Sequence, residues 1–179
     1  MAKVKIEDKI HPTSFLTMSK ESAKLGEDND CTVKAIAVLC NVTYNQAHKA
    51  AEKKGRVKGK GMDHRLMAEI ISDYGYSIKK LDKKAIYDRF ISRYPGVHKG
   101  HKNITTHQPK RFNEVWADEP PMALFTTQFK HVSAFKDGQI HDWAVGRCLR
   151  VEEVWIVEKD AKKAAQKPAK RPAKKAVKK

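Results

Sequence analysis

The 179-residue chain predicts an α+β fold, with N-terminal helices packed on a C-terminal antiparallel sheet, and three observations carry that expectation. Before Tyr94-Pro95, apolar residues recur every three or four positions in several segments. After Pro120-Pro121 the pattern changes to short alternating runs rich in β-branched and aromatic residues. Between two of those runs stands Lys136-Asp137-Gly138-Gln139, whose Asp-Gly pair suits the positive φ angles of a type I′ hairpin.

Residues 1–13 are polar and lysine-rich, with Val4 and Ile6 alternating against lysines, and read as an arm or a short edge strand. Ser14 to Leu25 has poor periodicity and reads as irregular structure or a short helix, so the domain is expected to span 25–158 behind an N-terminal arm of 1–24. Gly26-Glu-Asp-Asn-Asp30 is a turn in which Asn29 or Asp30 is placed to cap the next helix. From Cys31 the residues Val33, Ile36, Ala37 and Cys40 mark that helix as buried. Thr43 and Gln46 form a capping box for a second helix through about Lys54. Met62 to Tyr74 comes next as an amphipathic helix, with Leu66, Met67, Ile70 and Ile71 on one face and Gly75 as its stop. Tyr76 to Leu81 alternates as a strand, and Asp82 caps a further helix that turns Ile86, Phe90 and Ile91 inward. Residues 97–107 read as a loop and Pro109 to Trp116 as a short helix. Strands are expected at Met122–Thr127, His131–Phe135, Gln139–Trp143 and Glu153–Val157. Trp116, Trp143 and Trp155 read as core aromatics.

Charge divides the chain. Of the formal +16, residues 159–179 hold +9, from ten Lys or Arg against Asp160, and the body holds the remaining +7. This Lys/Ala/Pro tail has too little apolar surface to offset chain entropy, so a disordered segment is expected. In composition it resembles the tails of linker histones and bacterial nucleoid proteins. Lys170, Arg171, Lys174 and Lys175 are its central cations. A second basic stretch, Lys53, Lys54, Arg56, Lys58 and Lys60, places five cations within eight residues of a glycine-rich loop. Cations without base-reading partners bind phosphates with no sequence preference, so a nucleic acid is the expected partner of both.

Three cysteines without short paired spacing do not make a disulfide framework, and a reducing compartment fits them better. The N-terminus has no apolar signal core, and no stretch approaches the roughly 18 apolar residues of a membrane span. A cytoplasmic setting is expected, in a bacterial or phage-infected cell or with a virion.

The chemistry centres on Cys31. A thiol in the first turn of a helix faces unsatisfied N–H groups and the positive end of the helix dipole, both of which favour the thiolate. Asp28 and Asp30 beside it act in the opposite direction. A thiolate enzyme also needs a base and a group that orients the base. His131, opening a strand, and Asp142, across the Asp-Gly turn, supply these types. If Phe135 pairs with Ile140, Asp142 falls opposite Ser133, and whether it shares a face with His131 rests on register. His141 is an alternative base. Cys40 and Cys148 read as packed small hydrophobes. His98 and His101 lack further ligands nearby, so no metal or other cofactor is expected.

A cysteine opening a buried helix, then a strand-borne His, then an Asp on the next hairpin strand resembles the papain-like cysteine peptidases. The phrase His131-Val-Ser-Ala-Phe-Lys-Asp-Gly-Gln-Ile-His-Asp142 is similar to the C39-like branch and to small cysteine-peptidase-like proteins of phages and bacteria. The resemblance covers about residues 25–157. It implies a papain-like fold with Cys31 as nucleophile, His131 as general base and acid, and Asp142 as the residue orienting the imidazole. Families of this kind commonly place a Gln several residues before the cysteine as oxyanion donor. Leu25 to Asp30 holds none, and the Cys31 N–H and the Asn29 side chain stand in that place. The function expected is hydrolysis of a peptide or amide bond in a protein substrate. One alternative keeps the fold without catalysis, as a nucleic-acid or host-protein binder. A metal-dependent nuclease using His98, His101 and Asn103 is a third, weaker reading.

Overall fold

The computed structural model describes residues 14–93, 122–127, 130–143 and 151–160. The arm of 1–13, the loop and helix expected over 97–116, Cys148 and the tail beyond Asp160 lie outside the described residues.

Among the described residues five helices and five strands succeed one another as α1 (Phe15–Lys24), α2 (Cys31–Cys40), α3 (Tyr44–Lys53), α4 (His64–Asp73), β1 (Tyr76–Lys80), α5 (Lys83–Arg93), β2 (Met122–Thr127), β3 (Val132–Lys136), β4 (Gln139–Ile140) and β5 (Val151–Lys159). The strands form one antiparallel sheet in the order β1-β5-β2-β3-β4. The α+β class expected from the sequence is therefore the observed one. Among the described residues no helix is long and apolar enough to cross a membrane.

Local chemistry explains most element ends. Thr43 and Gln46 close the capping box of α3, with Gln46 N–H donating to Thr43 Oγ1 at 3.2 Å and Thr43 N–H to Gln46 Oε1 at 2.9 Å. Asp63 and Asp82 accept from the N–H groups of Arg65 and Lys84 at the starts of α4 and α5. Asn41 ends α2 in the left-handed region at φ 53°. In the β3–β4 hairpin both Asp137 (φ 51°) and Gly138 (φ 76°) are left-handed, which a type I′ turn requires.

The sheet is covered on both faces. On one side α1 to α4 pack with Val132, Ala134 and Val157 around the apolar stripe of α2, where Val33, Ile36, Val38 and Leu39 are buried. On the other, Ile86 of α5 meets Ala123, Phe135, Ile140, Val151 and Val154. Consecutive residues of β3 thus enter opposite cores, and its run Val132-Ser-Ala-Phe135 is buried throughout.

Three expectations about boundaries are corrected. The domain reaches back to α1, because Met18 is fully buried in the core. The α1 pattern is weak because only Met18 and Ser22 are buried, while the apolar Leu16 and Leu25 stay exposed. The tail starts after Asp160 instead of at 159, since Lys159 pairs with Tyr76 and the Asp160 N–H donates to the Gly75 carbonyl. The strand expected over Gln139–Trp143 is regular only at Gln139–Ile140, although His141 N–H still bonds the Ala134 carbonyl.

A buried ionic cluster ties the turn before α2 to the loop after α3. Glu27 accepts from Arg56 Nη1 at 2.8 Å and Nη2 at 3.1 Å, from His48 Nε2 at 2.7 Å and from the Gly59 N–H at 3.0 Å. The carboxylate and guanidinium are 0% and 1% exposed. Arg56 Nη2 also reaches the Asn29 carbonyl at 3.2 Å. The paired Arg56 guanidinium outweighs burial and, with His48 and Gly59, holds the Glu27 carboxyl down at about 2. A depressed carboxyl pKa contributes stability that is present above the ordinary value of about 4.5 and is lost as pH falls toward 2. Removing one partner leaves the other charge buried. Arg56→Met is expected to cost roughly 3–5 kcal/mol in urea unfolding, and Glu27→Met/Arg56→Met together much less. Equal costs for the single and double variants would refute the coupling.

Candidate active site

Cys31 is the first residue of α2, and α2 lies against β3. His131 immediately precedes β3 and Asp142 comes after β4 across the hairpin. Phe135 pairs with Ile140, the register on which the placement of Asp142 depends, and the His141 N–H carries the ladder on to Ala134. Asp142 therefore stands opposite Ser133, and His131, just before β3, also reaches its carboxylate. His131 Nε2 is 2.7 Å from Asp142 Oδ2, with both side chains nearly buried.

That contact sets the tautomer. An ionised carboxylate only accepts, so Nε2 carries a proton and donates it. The imidazole and the Cys31 thiol line one cleft and act on each other electrostatically, and the Val132 backbone also favours the charged sulfur. Thr32 Oγ1 lies 3.9 Å from it. Burial by itself would push the thiol up, but His131, Val132 and Thr32 together outweigh it and hold Cys31 below its ordinary value. Burial likewise opposes the charged imidazole. Asp142 and Cys31 overcome that too and raise His131 to about 9.

The flanking acids do not oppose the thiolate as the sequence suggested. Asp30 is buried and turned away from the helix start, accepting from Tyr44 Oη at 2.6 Å and pairing with Lys34 Nζ at 2.8 Å. It stands at the N-cap position of α2 without a side-chain capping bond, so the anticipated cap is absent. Asp28 is exposed.

Two clefts open on the sulfur. One of about 390 Å³ is lined by Phe15, Asn29, Cys31, His131, Asp142 and Trp143. The other, about 710 Å³, shares Asn29, Cys31, Lys130 and Val132 with it and continues to His64, Thr126 and Glu153. Asn29 is exposed at their junction, where the sequence put an oxyanion donor. Trp143 is not a core aromatic. It is 39% exposed and its ring lies over His131 at 4.5 Å, covering the imidazole beside its bond to Asp142. Trp155 is half-buried against His64 and Lys80. The alternative base His141 is turned to its own hairpin, with Nε2 3.2 Å from the Lys136 carbonyl. Cys40 is buried in the core.

The basic stretch divides. Arg56, expected at a phosphate, is turned inward onto Glu27, and Lys54 is engaged by Asp73 at 3.0 Å and Glu69 at 3.7 Å. Lys53, Lys58 and Lys60 remain exposed. Lys170, Arg171, Lys174 and Lys175, together with His98, His101 and Asn103, lie outside the described residues. Among the described residues no three His, Cys, Asp or Glu side chains gather as a metal site. Sequence reasoning missed Ser133 and Trp143 at the site, and their only signal was position: one opposite Asp142 on the hairpin, the other next to it.

Comparisons with protein families, curated proteins and solved structures return no match for this chain.

A lowered thiol predicts selective alkylation. At about pH 6.5 iodoacetamide should label Cys31 at least tenfold faster than Cys40, and His131→Ala should remove most of that advantage. Peptide mass spectrometry of timed samples reads both, and equal labelling of the two cysteines would sink the activated thiol.

Proposed function

We propose that this chain is a papain-like cysteine hydrolase acting on a peptide or amide bond, working in a reducing cytoplasmic or virion-associated setting and held near nucleic acid by its basic tail. The observation that carries the reading is the His131 ring, fixed through Nε2 to Asp142 at 2.7 Å, in one cleft with Cys31 at a helix start.

His131 Nδ1 takes the thiol proton, and the thiolate attacks the substrate carbonyl carbon. The carbonyl π pair moves onto oxygen, where the Cys31 N–H and the Asn29 side chain are the donors at hand. Collapse of this intermediate breaks the C–N bond, and the imidazolium gives its proton to the departing amine. Water, deprotonated by His131, then cleaves the thioester, and the thiol recovers its proton. No cofactor enters the cycle. Trp143 over the ring limits water at the His131–Asp142 bond.

The pair sets the sign of the pH dependence. Activity rises as the Cys31 thiolate forms below the ordinary thiol range, and it falls as the imidazolium loses its proton near pH 9. Hydrolysis of a library of fluorogenic peptide amides should show that alkaline limb and vanish in Cys31→Ala. His131→Ala should lose at least about 100-fold in kcat/KM. A folded wild type that turns over no amide, yet still retains nucleic acid, would favour the non-catalytic binding protein instead.

The tail makes a separate prediction. Residues 161–179 hold nine Lys or Arg and no acid. Their deletion should weaken binding to duplex DNA uniformly across sequences and flatten its salt dependence. Lys58→Ala/Lys60→Ala should act in the same direction with smaller effect. Unchanged salt slopes, read by fluorescence anisotropy, would leave the tail without this role.

A further inference from the structure

The Asp142 carboxylate carries a second donor that the hydrolytic cycle does not use. The Ser133 hydroxyl donates to Oδ2, the same oxygen that holds the His131 ring. Ser133 is 1% exposed, and the Asp142 side chain 6%. The hairpin dictates its place. Ser133 is the cross-strand partner of Asp142 in the register set by Phe135 and Ile140, and it stands two residues from His131 in the chain. The two donors therefore reach the carboxylate from neighbouring positions along one edge of the hairpin.

We propose that Ser133 is a positioning residue for the reaction, fixing the Asp142 carboxylate so that Oδ2 lies toward His131 Nε2 and the ring presents Nδ1 to Cys31. This rests on the Cys31–His131–Asp142 reading and deepens it. A carboxylate at the end of a side chain rotates readily about χ2, a freedom that each donor on it narrows. A second donor from the rigid strand narrows it further. Asp142 sits beyond the regular residues of β4, where the His141 N–H still bonds the Ala134 carbonyl, while Ser133 lies within the regular ladder of β3. Ser133 is pinned by β3, which pairs with β2 along its whole length.

The test is the pH profile of Cys31 alkylation by iodoacetamide in the full chain, read by peptide mass spectrometry, for wild type, Ser133→Ala and Ser133→Thr. Wild type should show its labelling midpoint below the ordinary thiol value of about 8.5. Ser133→Ala should move that midpoint up by roughly one pH unit, because a wandering carboxylate stabilises the imidazolium less. Ser133→Thr keeps the hydroxyl on a β-branched side chain suited to a strand and should restore the wild-type midpoint. Where hydrolysis is measurable, Ser133→Ala should lower kcat with KM nearly unchanged. A wild-type-like midpoint in folded Ser133→Ala, or one shifted downward, overturns the proposal, as does an upward shift that Ser133→Thr fails to reverse. A fall in melting temperature with an unmoved midpoint makes Ser133 merely structural and overturns it as well. If wild type itself lacks the depressed midpoint, the Cys31–His131–Asp142 reading fails first, and that outcome is distinct from a failure confined to the variants.

Discussion

The fully buried carboxylate of Glu27 joins two segments that have no secondary structure of their own. The turn at 26–30 delivers Asn29, Asp30 and Cys31 to the clefts, and the loop at 54–61 forms the wall that continues into Gly61 and Met62. Glu27 satisfies four donors from three places in the chain, and Arg56 closes the circle on the Asn29 carbonyl. A buried charge pair of this kind offers little net stability compared with apolar packing, but either charge left alone is heavily penalised. The consequence is specificity of position. The two loops are thereby bonded to each other, and α2 starts four residues after Glu27.

From that anchored start the geometry is carried by regular structure. α2 lies on β3, the tight Asp137-Gly138 turn fixes the register of β3 with β4, and the register decides which side chains share a face. With period-two alternation, a slip of one residue would have sent Asp142 to the other side of the sheet from His131. The hairpin has no such slip. Three chemically different groups, Ser133, His131 and Asp142, converge because the strand alternates and the turn holds two residues.

Electrostatics then couples the ring to the thiol. The same burial disfavours a charged cysteine and a charged imidazole separately, and the pair escapes that penalty by being charged together. Asp30, which sits closest in sequence and would have worked against the thiolate, is taken out of play by Tyr44 and Lys34. The +16 of the whole chain has no direct part in this. Nine of those charges fall in residues 159–179.

The elements legible in the sequence were those with local causes. The capping box at Thr43, the stripe of α2, the Asp-Gly turn and the alternation of the C-terminal strands each state their conformation within a few residues, because the physics that selects them acts within one turn or one strand. Cys31, His131 and Asp142 were legible as types in a chain order. α1 was not, since its apolar residues are split between a buried stripe and an exposed face. Arg56 looks like a phosphate contact because a cation in a glycine-rich loop looks solvated, and its partner Glu27 lies 29 residues away. Trp143 looks like a core residue because nothing local distinguishes an aromatic that covers a histidine from one that fills an interior. By itself, then, the sequence determined α2 to α4, the alternating strands, the hairpin turn and the chain order of Cys31, His131 and Asp142. Only the tertiary structure decided which charges are buried, which acids are neutralised and which donors meet on one carboxylate oxygen. Those are contacts between segments far apart in the chain, and long-range pairing of charges leaves no periodic trace in the sequence.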